Sequence, residues 1–114
     1  MDNCVFCRIV RGDIPAKKAY EDDSVLAFHD ANPASPVHIL VVPKKHMESV
    51  LSIEDCDRDI LVSIMRVITK LALDTGIAEG GFRVVANTGP DAGQSVPHLH
   101  FHLLGGRHLS WPPG

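Results

Sequence analysis

Apolar residues along the chain fall into one helical stripe, several short blocks and one strict alternation, and each pattern predicts an element. Ile60, Ile64, Val67 and Leu71, with Leu61, Met65, Ile68 and Ala72 beside them, recur at three- and four-residue steps, the period of an amphipathic helix. This spacing predicts one long helix over 53–74. Ser52 and Asp55 resemble a capping box at its start, with Asp in place of the longer Glu, and Gly76 suits the left-handed position just past its end. Residues 37–42, Val-His-Ile-Leu-Val-Val, are rich in β-branched side chains and end at Pro43; a run so apolar predicts a central strand buried on both faces. Shorter blocks at 17–21, 25–29 and 82–87 predict three more strands, and the alternation over 98–104 predicts a fifth. Residues 4–10 have room for one or two helical turns before Arg11-Gly12-Asp13 and Pro15 stop them, while 22–24, 32–36 and 88–95 carry turn and loop residues. Strands joined by hairpin-length loops around one long helix make an α+β fold: a mostly antiparallel five-stranded sheet, one long helix and a short N-terminal helix.

Length and composition narrow the class. With 114 residues, 45% of them apolar, the chain reads as a single domain over 1–114 that buries its own core. Its 11 basic and 14 acidic residues form no long run of either sign, so no nucleic-acid partner is expected, and a net charge of −3 draws in no anion from a distance. An anionic substrate must therefore be held by local donors. No stretch approaches the ~20 apolar residues that span a bilayer, and the N-terminal residues lack the basic-then-apolar layout of a secretory leader. A cytoplasmic location with no membrane partner is the expectation. Three cysteines do not make a disulfide framework. Cys4 and Cys7, in C-x-x-C spacing, suit metal or redox chemistry, and Cys56 reads as a small apolar filler or tolerated thiol on the long helix.

Candidate chemistry concentrates at the last strand. In Pro97-His98-Leu99-His100-Phe101-His102-Leu103, a period of two sends all three imidazoles to one face, successive members about 6.5 to 7 Å apart, and sends Leu99, Phe101 and Leu103 to the core. A merely polar outer face carries one histidine commonly and three in succession seldom. Two same-strand histidines can ligate a catalytic zinc with a third ligand from elsewhere. They can equally surround a phosphate, one as nucleophile and the others as donors; the histidines alone do not choose. The preceding loop, Asn87-Thr88-Gly89-Pro90-Asp91-Ala92-Gly93-Gln94-Ser95, adds glycines that let backbone approach a ligand, an amide and a hydroxyl, a set that suits a phosphate better than a metal.

His98-Leu-His100-Phe-His102-Leu-Leu resembles the signature of the histidine triad superfamily, in which three histidines alternate with hydrophobic residues. Further segments look like its Hint branch: Ile14-Pro15-Ala16-Lys17, Ala27-Phe28-His29-Asp30, Val42-Pro43-Lys44-Lys45-His46, Gly93-Gln94-Ser95-Val96, and the ending from Gly105-Gly106-Arg107 to Trp111-Pro112-Pro113-Gly114. At Pro97 the chain departs from the frequent pattern, where an aromatic residue often precedes the triad. The resemblance implies a homodimeric enzyme that binds a purine nucleoside monophosphate and cleaves a bond, commonly phosphorus to nitrogen, from its α-phosphorus. His100 matches the histidine that carries the nucleotidyl group before water releases AMP or GMP. His102, Ser95 and Asn87 match residues around the phosphate and leaving group, with Gly93, Gln94 and Val96 in the same loop, and His38 matches a histidine that aids proton transfer. Asp30 matches the ribose-binding acid, and Phe6, Phe28 and His29 match the wall of the base pocket.

Cys4, Cys7, His46 and His98 make a Cys₂His₂ set of zinc-compatible residues. Some triad proteins with this N-terminal cysteine pair bind zinc through such residues, which implies a structural zinc and no organic cofactor. Three functions stand at this point: a nucleoside phosphoramidase, a zinc hydrolase that uses the histidine strand as catalytic ligands, and a nucleotide-binding module without catalysis.

Overall fold

Alternation along the strands decides which helix covers which face of the sheet. The structure, a computed structural model, describes residues 3–114; Met1 and Asp2, where the reading of the N-terminus begins, lie outside them. Strands β1 (Lys18–Glu21), β2 (Val25–His29), β3 (Val37–Pro43), β4 (Phe82–Val85) and β5 (Phe101–Gly105) form one sheet in the order β1-β2-β3-β5-β4, every neighbouring pair antiparallel. Val25, Ala27, Ile39, Val41 and Leu103 turn to one face and pack with the long helix α2 (Arg58–Asp74) through Ile64, Val67, Ile68, Leu71 and Ala72. Leu26, Phe28, Leu40 and Val42 turn to the opposite face, where the short helix α1 (Val5–Arg11) covers them with Phe6 and Ile9. The predicted double burial of β3 follows from having a helix on each side.

The long helix begins later than 53. Residues Val50–Ser52 and Asp55–Asp57 form separate 3₁₀ turns, and extended Ile53 lies between them. The side chain that reaches back is Asp57, whose Oδ2 accepts the Glu54 N–H at 3.0 Å, so the capping pair lies two positions downstream of Ser52 and Asp55. Lys45 fixes the same carboxylate at 2.6 Å. Cys56 is an exposed thiol on the second of these 3₁₀ turns, just ahead of α2. At the far end Gly76 takes the expected left-handed conformation, φ 79°, and a short helix that the pattern did not predict, α3 (Ile77–Gly80), follows directly.

β1 begins one residue later than its sequence block, and β4 and β5 are each two residues shorter than theirs. β5 starts at Phe101 and not at 98 because Pro97 has no N–H, the His98 N–H bonds the Val96 carbonyl at 2.9 Å, and the Leu99 N–H bonds the Met47 carbonyl at 2.6 Å. These donors are spent outside the sheet. β4 ends at Val85, whose partner is His102, and by the same register residue 87 would face His100, which lies before β5 begins. The histidine side of the segment is also no open surface, since His98 and His100 are buried beneath α1. Among the described residues, no helix is long and apolar enough to cross a membrane.

Candidate active site and metal centre

Gly12, at φ 85°, ends α1 and turns the chain across the face of β2 and β3, and this leaves a cavity of about 590 Å³ between the helix, β2 and the segment leading into β5. The walls carry two chemistries. Phe6, Ile9, Ile14, Phe28 and Leu40 supply apolar surface, while His29, Asp30, Ser95, His100 and His102 supply polar groups. Phe6 stands edge-on to Phe28 with ring centroids 5.5 Å apart and to His100 at 5.0 Å. Such a mixed lining suits a ligand with a flat apolar body and a polar tail.

Of the residues singled out from sequence, Phe6, Phe28, His29, Asp30, Ser95, Val96, His100 and His102 line this cavity. Asn87, Gly93, Gln94 and His38 do not. Gln94 braces the loop instead: its Oε1 accepts the Gly89 N–H at 3.0 Å, and its Nε2 donates to the carbonyls of Glu48 at 2.7 Å and Val96 at 3.1 Å. Gly89 and Gly93, at φ 83° and 77°, take the conformations that let so short a loop close and present Ser95. Ile9, Leu40 and the Ile14-to-Lys17 segment form wall that residue type did not single out.

Hydrogen bonds fix the tautomers of the imidazoles one after another. His100 Nδ1–H donates to the His98 carbonyl at 2.6 Å, which leaves Nε2 with a free lone pair. The Ala34 N–H donates to His38 Nδ1 at 3.0 Å, so the proton of neutral His38 is on Nε2, and that nitrogen donates to His102 Nδ1 at 2.9 Å. His102 must then carry its own proton on Nε2. Burial pushes His102 down to about 4, helped by the neighbouring His100 and His38 and opposed by Asp30; burial likewise lowers His38 against the pull of Asp30. Both rings are therefore neutral at pH 7. His38 Nε2 also lies 3.4 Å from Asp30 Oδ2. Although Asp30, His38 and His102 bring three donor atoms together, a metal there would need the Nε2 lone pair of His38 and so a proton on the nitrogen that already accepts from Ala34. The trio fits a proton chain and not a metal.

A separate buried group does fit one. Cys4, Cys7, His46 and His98 converge from α1, from the turn after β3 and from the segment before β5. The Cys4 Sγ and His98 Nδ1 are 3.4 Å apart, Cys7 Sγ and His46 Nδ1 3.2 Å, Cys7 Sγ and His98 Nδ1 3.5 Å, and the two Nδ1 atoms 3.2 Å. Ligands at zinc distances on a tetrahedron stand about 3.3 to 3.8 Å apart. His98 Nε2–H donates to the Pro43 carbonyl at 2.8 Å, which turns its bare Nδ1 toward the other donors. Burial and the adjacent Cys4 raise the Cys7 thiol to about 11, so an incoming cation must displace its proton. The cluster can bind zinc.

A five-stranded antiparallel sheet that sets alternating histidines beside an apolar cavity defines a histidine triad fold. Residues 11–109 match the HIT domain, and the chain belongs to that family. It is similar to a HIT family hydrolase from Legionella pneumophila, at 46% identity and a TM-score of 0.96 over 98% of this chain and 100% of that one. It is also similar to a histidine triad protein from Clostridium difficile, at 54% identity and a TM-score of 0.91 over 96% of this chain and 95% of that one. A 14 kDa zinc-binding protein of Zea mays shares 44% identity over 112 residues, 96% of this chain and 87% of that protein.

Proposed function

We propose that the chain is a purine nucleoside phosphoramidase of the Hint branch, a hydrolase that works through a nucleotidyl-His100 intermediate and releases AMP or GMP. The observation that carries this reading is the bond from His100 Nδ1–H to the His98 carbonyl, which makes Nε2 the lone-pair nitrogen of the neutral ring in a cavity lined by Ser95 and His102. An imidazole so held is a nucleophile without further activation.

The purine lies against Phe6, Phe28 and His29, and its ribose hydroxyls meet Asp30, whose Oδ1 already accepts the Asn32 N–H at 2.8 Å and so faces the ligand in a fixed orientation. The His102 Nε2–H and the backbone of Ser95 and Val96 hold the non-bridging phosphate oxygens, on a loop that Gly93 and Gln94 shape from outside the cavity. His100 Nε2 attacks phosphorus; the phosphorus–nitrogen bond breaks, its electron pair leaves with the amine, and Ser95 Oγ–H supplies the proton. Water then attacks the same phosphorus, the bond to Nε2 breaks, and the two protons of that water end on the nucleotide and on the Ser95 side, which restores the enzyme. His38 acts behind His102 by keeping its Nδ1 occupied. Cys4, Cys7, His46 and His98 would hold zinc, which would tie α1 to the histidine segment in a structural role, since four protein ligands would leave no position for substrate.

Steady-state turnover of AMP-amidate, GMP-amidate and dinucleoside polyphosphates, with rapid quenching and peptide mapping, tests the reading. Hydrolysis with a nucleotidyl adduct on His100 is expected. An adduct on another histidine, turnover that chelation abolishes with no nucleotidyl-histidine trapped in the zinc-loaded protein, or tight AMP binding without turnover would each replace it, the last two by the zinc hydrolase and the binding module.

A further inference from the structure

We infer that the metal cluster and the nucleophile are one mechanical unit joined through His98, so that metal occupancy fixes the tautomer and position of His100. The inference rests on the reading of His100 as nucleophile in a nucleotide site. His98 is fully buried, at 0% exposure, and every polar group it has is committed. Nδ1 faces Cys4, Cys7 and His46, Nε2–H bonds the Pro43 carbonyl at 2.8 Å, and the backbone N–H bonds the Val96 carbonyl at 2.9 Å. The remaining group, the His98 carbonyl, is the acceptor 2.6 Å from His100 Nδ1. One residue thus carries a metal ligand at its ring and the tautomer-fixing acceptor on its backbone.

A second link runs through α1. Phe6 sits between Cys4 and Cys7 and touches the rings of His98 at 5.9 Å and His100 at 5.0 Å while it walls the cavity. A cation bound by Cys4, Cys7 and His98 therefore holds both the aromatic wall and the acceptor. When it is removed, hydrogen bonds of 3.2 to 3.5 Å among thiols and imidazoles replace it on the Nδ1 side of His98, while the bonds to Pro43 and Val96 stay. His98 then loses its strongest restraint on the Nδ1 side, and a carbonyl that moves by a fraction of an ångström weakens a bond as short as 2.6 Å. Two sites that bias one element are coupled reciprocally: metal tightens nucleotide binding by the factor by which nucleotide tightens metal binding.

Calorimetry of AMP binding to zinc-loaded and chelator-stripped protein, with zinc affinity measured by chelator competition with and without AMP, gives both sides of the cycle. Both affinities should rise by the same factor, about fivefold or more; equal AMP affinity in the two forms overturns the coupling. If AMP binds to neither form, the proposed function fails, and the coupling is still tested by the imidazole nitrogen NMR signals of His100. These should report one tautomer, with Nδ1 protonated, in loaded protein and an averaged one in stripped protein; identical signals overturn it. Should the stripped protein unfold, the cadmium-loaded protein keeps the question open to measurement. His100→Ala should move the cadmium NMR resonance, and an unmoved resonance overturns the inference.

Discussion

At the scale of single residues, the chemistry of each imidazole follows from where its other nitrogen is spent. His100 spends Nδ1 on a backbone carbonyl and has Nε2 for phosphorus, whereas His102 accepts at Nδ1 and has a proton to offer. His100→Ala should therefore lower kcat by about 10³-fold or more and largely preserve AMP binding, because Asp30, Phe28 and the loop remain; near-normal turnover in a steady-state assay would remove the nucleophile assignment. The charge state of His102 is a second expectation. Unfolded, its imidazole protonates near 6.5, and folded it stays neutral down to about 4. Between these values the unfolded chain binds the extra proton, so acid favours unfolding and this group's stabilisation is lost as pH falls through that window. Nitrogen NMR titration should find the ring neutral at pH 5 with its proton on Nε2, and a midpoint near 6.5 would contradict the buried chain of donors. Much of this site was legible because histidine, cysteine and serine announce chemistry by type. Ile9, Ile14 and Leu40 carry no such mark, and they become wall only because Gly12 turns the chain over them. Nor does spacing disclose that His38, 64 positions from His102, stands behind it and not in the cavity.

Elements register a different kind of information. The apolar stripe of α2 and the run of β3 were readable because periodicity is set by the face a residue buries, and those faces are the ones that meet in the core. Boundaries were not readable at 53, where backbone donors close local 3₁₀ turns such as Ile53 to Val50, or at 98, where Met47 captures the Leu99 N–H. The unpredicted α3 was too short to show a period, yet its packing is tight: a Cβ on Gly105 would stand 2.8 Å from Ile77 Cδ1 and 2.9 Å from its Cβ, in the middle of the α3–β5 contact. Gly105→Ala should thus cost about 1 to 3 kcal/mol by overpacking, seen as a lower midpoint in urea with an unchanged slope; an unchanged midpoint would mean that α3 moves freely. The hold on α1 is of another nature, since seven residues make too short a helix to persist alone. Protein purified without chelator should carry up to one zinc per chain by elemental analysis, and a Cys4→Ala, Cys7→Ala double variant should carry none and melt at lower temperature. Unchanged zinc content in that variant would displace the site.

For the whole molecule, the expected pairing of two chains has a physical basis in what α2 leaves uncovered. The helix packs over β2 and β3, while Phe82 and Val84 on β4 pair with Gly105 and Leu103 and so share the α2 face of the sheet, each 41% exposed. On the helix itself Val62 and Met65 are 47% and 44% exposed beside a shallow groove formed with Leu61, Arg66 and Thr69. β4 is also an edge strand, with one side of its backbone free to pair. A twofold axis that sets α2 and β4 of one chain against the same elements of a second would cover all of these at once, which is the self-complementarity a closed dimer requires. Trp111, the chain's one tryptophan, is 81% exposed and reports on whether the C-terminal tail meets the second chain. Sedimentation at micromolar concentration should give a particle of twice the 12.4 kDa chain mass, and Met65→Glu, which puts a charge into the contact, should shift it to the monomer. Trp111 emission should move to longer wavelength in that variant as the indole returns to water. A wild type that sediments as a monomer would remove the dimer, and a dimer whose Trp111 emission matches that of the variant would confine the partner contact to α2 and β4.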